Sequence, residues 1–356
     1  MGLQSISPEA LGPALDGFAQ RTLYIHLETT AGAYTQNGFG AFIRGVPVPV
    51  RRLQVHGAGP YRAGLETDEG FVYAEGLTHW QAEGRDRLQL EGHDSEGRLT
   101  VALTLSAAPL TVAGAMRVVP PGRRRTFDTH LPAPTEERAL LLVFGHPDDE
   151  TFGSGGTIAL YAQAGVPITC VTLTLGEMGR NMGVPPHTTR ESLRETRTRE
   201  LRAALDVLGV GDLWMLGAWD KTSEFRDIEP MAAAVGRALE QSGATRVLTS
   251  HPVYGGHPDH CTAGRAALLA VSRVSAERRP TVQCGVGMRR EGLGVELCSV
   301  DISGVADIKL EAIRAHRSQS EGMLHRLEAE PTSEEMRRRF SREYFVLNPP
   351  LPEDLS

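Results

Sequence analysis

The sequence predicts an α/β protein in which a mostly parallel, Rossmann-like sheet covered by helices is preceded by a small antiparallel β domain. The second half of the 356-residue chain alternates strand-like and helical patterns, which is typical of a parallel sheet with helices on its faces. Residues 140–144 are all apolar, as expected of a strand that is buried on both sides. The first 115 residues instead contain short runs of alternating polarity between turn-forming residues.

The N-terminal β domain is predicted to cover residues 1–117. Apolar Leu23, Ile25 and Leu27 alternate with polar residues, and the same alternation recurs at residues 99–105, which indicates half-buried strands. Stretches rich in glycine, aspartate and proline mark turns between the strands. The pattern favours a small barrel or sandwich, and its scattered histidines have no spacing that predicts a metal site.

A proline- and arginine-rich linker is predicted at residues 118–138, and the second domain at residues 139–356. An amphipathic helix at residues 190–208 has leucines on one face and ends at Gly209. A helical run is expected at residues 157–164, another helix begins at Pro258, and a last helix covers residues 305–327. The strands of this domain are predicted at residues 140–144, 168–175, 213–216, 247–249, 282–286 and 297–300.

Composition excludes several classes of protein. A formal net charge of −7 argues against a nucleic-acid-binding protein, which needs a basic surface. No apolar run reaches about eighteen residues and the N-terminus has no basic, apolar leader, so neither a membrane span nor a signal peptide is predicted. Four cysteines without paired spacing fit reduced thiols, and a cytoplasmic location is expected.

Polar residues that suit metal chemistry follow the first strand of the second domain. His146 and Asp149 stand three residues apart, so a tight turn can direct both side chains to one point. An imidazole and a carboxylate are a ligand pair that suits zinc. Asp148 lies between them and points elsewhere, which leaves it available for proton transfer.

A second group of such residues follows the strand at residues 247–249. His257 and His260 are again three residues apart, so one can bind a metal while the other faces the substrate. Two histidines and an aspartate would leave the fourth position open, as in catalytic zinc sites. Both groups follow strands of one predicted sheet, where α/β proteins place their sites. The alternative interpretation is that these residues are helix-capping aspartates and loop histidines.

These residues carry a resemblance to a known family. His146-Pro147-Asp148-Asp149-Glu150 and His257-Pro258-Asp259-His260 resemble the signatures of LmbE/PIG-L-type zinc-dependent N-acetylglucosaminyl deacetylases, and the resemblance covers about residues 138–345. The strings at residues 173–180, 189–193 and 220–222 are most similar to the deacetylases of bacillithiol biosynthesis. The N-terminal domain resembles small YojF-type proteins through the strings at residues 24–30, 59–62 and 72–77. The chain therefore looks like a fusion of the two.

The resemblance implies one metal site and a set of catalytic groups. One zinc ion per chain, or another divalent metal, would be held by His146, Asp149 and His260. Bound zinc would polarise the acetyl carbonyl and lower the pKa of a water molecule. Asp148 is implied as the general base, and a protonated His257, oriented by Asp259, as the group that stabilises the oxyanion.

The resemblance also implies residues that bind the substrate. Arg197 begins an Arg-x-x-Glu pattern that ends at Glu200, and a guanidinium can hold a carboxylate with two parallel hydrogen bonds. Arg197 would therefore suit an acidic aglycone such as malate. Arg180 is a further candidate in the loop after a strand, and Tyr254 could donate a hydrogen bond to the oxyanion.

The function that the sequence predicts is removal of the N-acetyl group from an N-acetylglucosaminyl substrate, with N-acetylglucosaminyl-malate on the route to bacillithiol as the specific expectation. One alternative is an amidase that cleaves bacillithiol S-conjugates. A metal-dependent phosphoesterase would need a second metal and more carboxylate ligands. A non-catalytic metal-binding scaffold protein would have lost site residues, yet both signatures are whole. The expected partner is a small amino-sugar with an acidic aglycone, and a homo-oligomer is left open.

Overall fold

The computed structural model describes residues 3–30, 40–110, 117–119, 137–286, 295–329 and 340–355. The chain forms two compact units, which we call the β unit and the α/β unit. The β unit consists of Met1–Val112 together with Gly179–Leu193, and the α/β unit consists of Ala113–Met178 together with Arg194–Ser356. These borders differ from the predicted ones, because a segment of the second predicted domain packs with the first.

The β unit contains one antiparallel sheet of eight strands in the order β1-β6-β7-β8-β2-β3-β4-β5. The sheet curls, since β5 at one end of this order also contacts β7 and β8. On its inner face, the apolar core includes Leu23, Leu65, Leu88 and Leu103. Helix α1 (Pro8–Leu15) packs against this core through the buried Leu11. The strands are β1 (Gln4–Ser5), β2 (Arg21–Thr30), β3 (Gly40–His56), β4 (Tyr61–Thr67), β5 (Phe71–Leu77), β6 (His79–Glu83), β7 (Arg87–His93) and β8 (Leu99–Ser106).

The α/β unit contains a second eight-stranded sheet in the order β15-β16-β14-β13-β10-β11-β12-β9. Its strands are β9 (Arg117–Val119), β10 (Leu140–Phe144), β11 (Ile168–Thr174), β12 (Asp212–Ala218), β13 (Arg246–Ser250), β14 (Thr281–Gly285), β15 (Cys298–Asp301) and β16 (Arg342–Leu347). Its helices are α2 (Asp149–Gln163), α3 (Leu193–Leu208), α4 (Glu229–Ser242), α5 (Pro258–Ser272), α6 (Ala306–Ala315) and α7 (Arg317–Ala329).

Five strands in the middle of this sheet, from β14 to β12 in the order above, are parallel. The predicted parallel sheet is therefore present, but the whole sheet is mixed, because β9 and β16 join it antiparallel. Strand β10 lies between β11 and β13, and all five of its residues are buried. Leu140, Leu142 and Phe144 enter the core on one face, while Leu141 and Val143 enter the core on the other.

Several elements of the α/β unit differ from the prediction. Helix α2 begins at Asp149, well before the expected start at residue 157. A glycine at position 156 lets this helix pack closely on Ile302, because a Cβ at that position would lie 2.6 Å from the Ile302 side chain. Helix α4 was not predicted. The single last helix expected at residues 305–327 is two helices that meet at the buried His316. Within the predicted linker, β9 pairs with β12, and residues 120–136 lie outside the described residues.

Across the described parts of the chain, the longest apolar helices fall short of what a membrane crossing requires.

Candidate metal centre and catalytic site

The two signature motifs meet because their strands are neighbours in the sheet. Strand β10 ends just before His146, and it pairs in parallel with β13, the strand that precedes α5. Gly145 allows the close approach, since a Cβ at this position would lie 3.0 Å from the backbone of Asp259. The first turn of α5 thereby comes directly against the end of β10. His146 and His260 face each other across this contact.

The side chains of the three predicted metal ligands converge on one point. His260 Nε2 lies 3.0 Å from His146 Nδ1 and 3.0 Å from Asp149 Oδ1. Asp149 Oδ2 lies 3.6 Å from His146 Nδ1, and the three side chains are only 10–13% exposed. Two imidazoles and a carboxylate at such spacing are a donor set that fits zinc or a similar divalent ion.

Other ligand groups share His146. Besides the group just described, potential ligand atoms lie within 4.8 Å of one another in two further groups of described residues, namely His146, His257 and His260, and His146, Asp220 and Asp259. The second group uses the opposite nitrogen of His146. A metal held between Nδ1 of His146, Asp149 and His260 would therefore leave His146 Nε2 to the two buried carboxylates.

Asp220 is a site residue that the sequence prediction did not include. Its Oδ1 lies 3.1 Å from His146 Nε2, and its Oδ2 accepts a hydrogen bond from the backbone N–H of Met178 at 2.9 Å. Although burial opposes it, the contact with His146 lowers the pKa of Asp220. A carboxylate behind a ligating imidazole fixes the tautomer and the ring orientation. The family-like string at residues 220–222 carried this signal, but it indicated only a branch of the family.

Asp259 also binds His146 instead of orienting His257 as expected. Its Oδ2 lies 3.0 Å from His146 Nε2 but 3.9 Å from His257 Nδ1, and it accepts the N–H of Lys221 at 2.8 Å. Its other oxygen accepts hydrogen bonds from the backbone and hydroxyl of Ser223. The reason is local, because His257 caps α5 and its Nδ1 accepts the backbone N–H of Asp259 at 3.1 Å.

His257 differs from the prediction in its charge. Burial, followed by the proximity of His146 and His260, lowers the pKa of His257 to about 4. A pKa this low favours the neutral ring at pH 7, whereas the resemblance implied a protonated imidazolium. Because Nδ1 accepts a hydrogen bond, the ring hydrogen is assigned to Nε2, which keeps one donor.

Asp148 is held in an unusual backbone conformation at the start of α2. Its φ is +106°, in the region that favours glycine, and its N–H donates to Glu150 Oε2 at 3.0 Å. Glu150 is fixed in turn by the buried His316 at 2.9 Å. Burial raises the pKa of Asp148 to about 6, even though Arg197 acts in the opposite direction. A carboxylate with a pKa near neutrality is suited to general-base chemistry.

Arg197 lies behind Asp148 with little exposure. Its Nη2 is 2.9 Å from Asp148 Oδ2 and also donates to the carbonyl of Pro147, while Nη1 donates to the carbonyl of Gly176 at 2.8 Å. Only 4% of the residue is exposed. Its Nε is buried and has no hydrogen-bond partner among the described residues. These contacts favour a role in positioning Asp148, and direct contact with an acidic aglycone stays a prediction.

The two remaining predicted substrate-binding residues lie in different surroundings. Arg180 belongs to the β unit, where its Nε donates to the carbonyl of Leu99 at 3.2 Å. Tyr254 stacks on His251, with ring centroids 4.8 Å apart, and its backbone N–H donates to His251 Nδ1 at 3.1 Å. Their roles toward a substrate stay predictions.

A cavity of about 630 Å³ lies beside His257 in the α/β unit. Residues from three stretches line it, including Arg226, Val253 and Cys261. The volume is within the range of sites that bind small organic molecules. His257 and Ser223, which donates to Asp259, both line this cavity next to the ligand group.

An α/β unit that gathers two imidazoles, a carboxylate and an acid of raised pKa at its strand ends has the arrangement of a metal-dependent hydrolase. Comparison with known proteins defines the family. Residues 141–271 match the family described as GlcNAc-PI de-N-acetylase, PIG-L. Residues 5–110 match a family of unknown function, DUF1806.

Individual relatives match the two parts of the chain separately. A probable N-acetyl-alpha-D-glucosaminyl L-malate deacetylase 2 of Bacillus cereus is 44% identical over 190 residues, which cover 53% of this chain and 86% of that protein. The protein of the same name in Bacillus subtilis is 43% identical over 191 residues, with the same coverage. The uncharacterized protein YojF of Bacillus subtilis is 39% identical over 116 residues, which cover 31% of this chain and 100% of YojF.

The chain belongs to the PIG-L family of de-N-acetylases, and its N-terminal part is YojF-like. It is therefore an enzyme of the metal-dependent N-deacetylase class, as the sequence predicted. The two Bacillus subtilis relatives are separate proteins, whereas this chain carries both parts in one polypeptide.

Proposed function

We propose that this protein uses zinc to remove the N-acetyl group from N-acetylglucosaminyl-malate, a step of bacillithiol biosynthesis. The observation that carries the proposal is the convergence of His146, Asp149 and His260 within 3.0–3.6 Å of one another, next to the buried Asp148. Two relatives that are 44% and 43% identical bear the name of a deacetylase for this substrate.

The proposed metal ligands are His146, Asp149 and His260. When bound there, zinc would supply a Lewis acid for the acetyl carbonyl and would favour ionisation of the attacking water near neutral pH. Asp220 and Asp259 would keep the ring of His146 in the tautomer that leaves Nδ1 free to ligate, since both carboxylates face Nε2.

Asp148 is proposed to accept the proton of the attacking water. An amide resists hydrolysis because its carbonyl is a poor electrophile and its amine a poor leaving group, so both proton movements need a positioned group. The pKa of about 6 lets Asp148 be ionised at neutral pH and still bind a proton during the reaction. Arg197 holds the carboxylate in one orientation from 2.9 Å. Asp148 then passes this proton to the leaving amine, because the neutral ring of His257 carries only the Nε2 hydrogen that it donates to the oxyanion.

His257 is proposed to stabilise the tetrahedral oxyanion. Its ring is neutral, but Nε2–H remains a donor because Nδ1 is occupied by the N–H of Asp259. A fixed donor directed at the developing negative charge lowers the barrier more than a mobile one, because no reorganisation is needed during the reaction. The cavity beside His257 is proposed to receive the substrate.

The test is a substrate panel with the purified zinc-loaded chain. The panel contains N-acetylglucosaminides with malate, inositol and phosphatidylinositol aglycones, together with a bacillithiol S-conjugate, and the free amine is measured. We expect the highest kcat/KM on the malate compound. The Asp148→Asn variant serves as the control for contaminating activity. A higher kcat/KM on an inositol compound or on the S-conjugate would refute the malate assignment, and no amine from any compound would refute deacetylation.

A further inference from the structure

One segment of the deacetylase sequence belongs to the β unit. Gly179–Leu193 lies inside the stretch that matches the PIG-L family, yet it packs with Met1–Val112. We call it the 179–193 segment. It contains Arg190 and Glu191 of the string that is similar to bacillithiol-type deacetylases. Their partners include Glu28, which belongs to the string that is similar to YojF-type proteins.

The first contact is a buried ion pair. Arg190 Nη2 and Nε donate to Glu28 Oε1 at 2.6 and 3.1 Å, and both side chains are 1% exposed. The backbone N–H of Arg190 also donates to Glu91 Oε1 at 2.6 Å. Strands β2 and β7 thus supply one carboxylate each to a single residue of the segment. Removing one partner would leave a buried charge without its counter-charge, which is strongly destabilising.

A second ion pair follows at the next residue. Arg44 donates to both oxygens of Glu191 at 3.0 Å, so the contact is bidentate, and the two side chains are 8% and 5% exposed. Thr104 Oγ1 adds a hydrogen bond to Glu191 Oε1 at 2.9 Å. Paired, parallel hydrogen bonds of this kind fix geometry as well as contributing energy.

Backbone and apolar contacts complete the surface. Leu99 and Arg180 are joined by the hydrogen bond from Leu99 N to Arg180 O at 2.6 Å, and Arg98 forms a β-bridge with Asn181. Leu99 and Ala102 of β8 form a fully buried cluster with Met182 and Leu193 of the segment. An apolar centre with matched charges around it is the composition of a specific interface.

Both ends of the segment continue directly into the candidate site. Just before it, the N–H of Met178 donates to Asp220, the carboxylate that faces His146. Just after it, α3 carries Arg197, which holds Asp148. The backbone on each side of the segment therefore positions a residue of the site.

We propose that the YojF-like part of the β unit is a docking platform for the 179–193 segment, and that docking positions Asp220 and Arg197 for the reaction. Glu28 and Arg44 are thus positioning residues that act through the segment. The separate YojF and deacetylase relatives of Bacillus subtilis support the inference, because the contacts join the parts that are separate polypeptides there. The effect on turnover rests on the proposed function, whereas docking itself does not.

The test uses the full chain with Glu28→Gln. Hydrogen–deuterium exchange of peptides that cover residues 179–193 measures docking without any substrate. Because Arg190 would lose its buried counter-charge, we expect exchange of the segment to be at least ~10-fold faster. At saturating zinc, kcat should fall at least ~10-fold with KM unchanged, as expected when the reacting groups are misplaced but substrate binding is intact.

Arg44→Gln and Arg51→Gln provide the comparison. Arg44→Gln should also make exchange of the segment faster and kcat lower, each by a smaller factor than Glu28→Gln. It replaces Glu28→Gln as the test if that variant does not fold. Arg51 also belongs to β3 and forms an ion pair with Asp68, but the two side chains are 58% and 51% exposed, so neither readout should change. Wild-type exchange in both Glu28→Gln and Arg44→Gln would refute docking. Faster exchange with full kcat would refute positioning. A wild-type chain that deacetylates nothing would refute only the proposed function.

Discussion

The two units each bury a group of charged side chains, and the groups differ in how their charges are matched. In the β unit, Arg190 pairs with Glu28 and Arg44 pairs with Glu191, so each guanidinium has a carboxylate of its own. In the α/β unit, three carboxylates contact the imidazoles of His146 and His260, which carry charge only when protonated. These carboxylates belong to Asp149, Asp220 and Asp259.

The difference separates a structural cluster from a binding site. Guanidinium groups stay charged at any relevant pH, so the pairs of the β unit are permanently neutralised and can hold a segment in place. Around His146, the negative charge of the carboxylates is balanced only by protons on the histidines or by a bound cation. Proximity of the carboxylates raises the pKa of both His146 and His260, against the effect of burial. Because metal ligands must be deprotonated, a divalent metal that binds at this cluster would displace these protons.

We expect the largest effect from His260→Ala, because the cluster of charged groups around His146 would then no longer hold a cation. It removes one of three proposed ligands, so most of the bound metal and nearly all activity should be lost. Elemental analysis and turnover measure the two effects. His325→Ala, which changes an exposed histidine of α7, should retain both. Wild-type metal content in His260→Ala would show that the ligand group is misassigned.

Asp148→Asn should come next, with metal retained and kcat lowered ~10²–10⁴-fold, because the substitution removes only the ability to accept a proton. Asparagine tolerates the left-handed backbone at this position, where φ is +106°. The adjacent Asp149→Asn is the matched comparison and should instead lose metal. If Asp148→Asn loses the metal and Asp149→Asn retains it, the base and the ligand are assigned the wrong way round.

Asp220→Asn should weaken metal affinity ~10–100-fold, since the carboxylate behind His146 Nε2 would be replaced by a neutral amide. Titration of the metal-free chain with zinc measures the change. Asp227, an exposed residue of the same loop region, supplies the control variant Asp227→Asn. Equal affinities of Asp220→Asn and wild type would mean that Asp259 alone orients His146.

Arg197→Lys should have the smallest effect, a loss of ~10-fold in kcat/KM, because lysine cannot reach Asp148 and two backbone carbonyls together. The loss should be equal for an acidic and for a neutral N-acetylglucosaminide, since the guanidinium contacts Asp148. A loss confined to the acidic compound would instead establish Arg197 as the group that recognises the aglycone.

Local sequence pattern was sufficient for much of the fold and for the composition of the site. The uninterrupted apolar run at residues 140–144 predicts the central strand, because a strand buried on both faces shows no polar alternation. Local sequence pattern fails for α2, because the glycines of this helix weaken a helical pattern. One of them, Gly156, is needed because a side chain there would clash with Ile302. Local pattern also fails at His316, which lies between α6 and α7 and is buried against Glu150.

The sequence alone determined which residues stand at the ends of β10 and β13, because ligand spacings of three residues are fixed by turn and helix geometry within one stretch of chain. Tertiary structure decided which partner each charge acquires. Asp259 binds His146 at a separation of 113 residues, and Arg190 binds Glu28 at a separation of 162 residues. Such pairs depend on strand order and on the packing of the 179–193 segment. Local pattern contains neither, because an ion pair between distant residues leaves no periodic trace in the sequence.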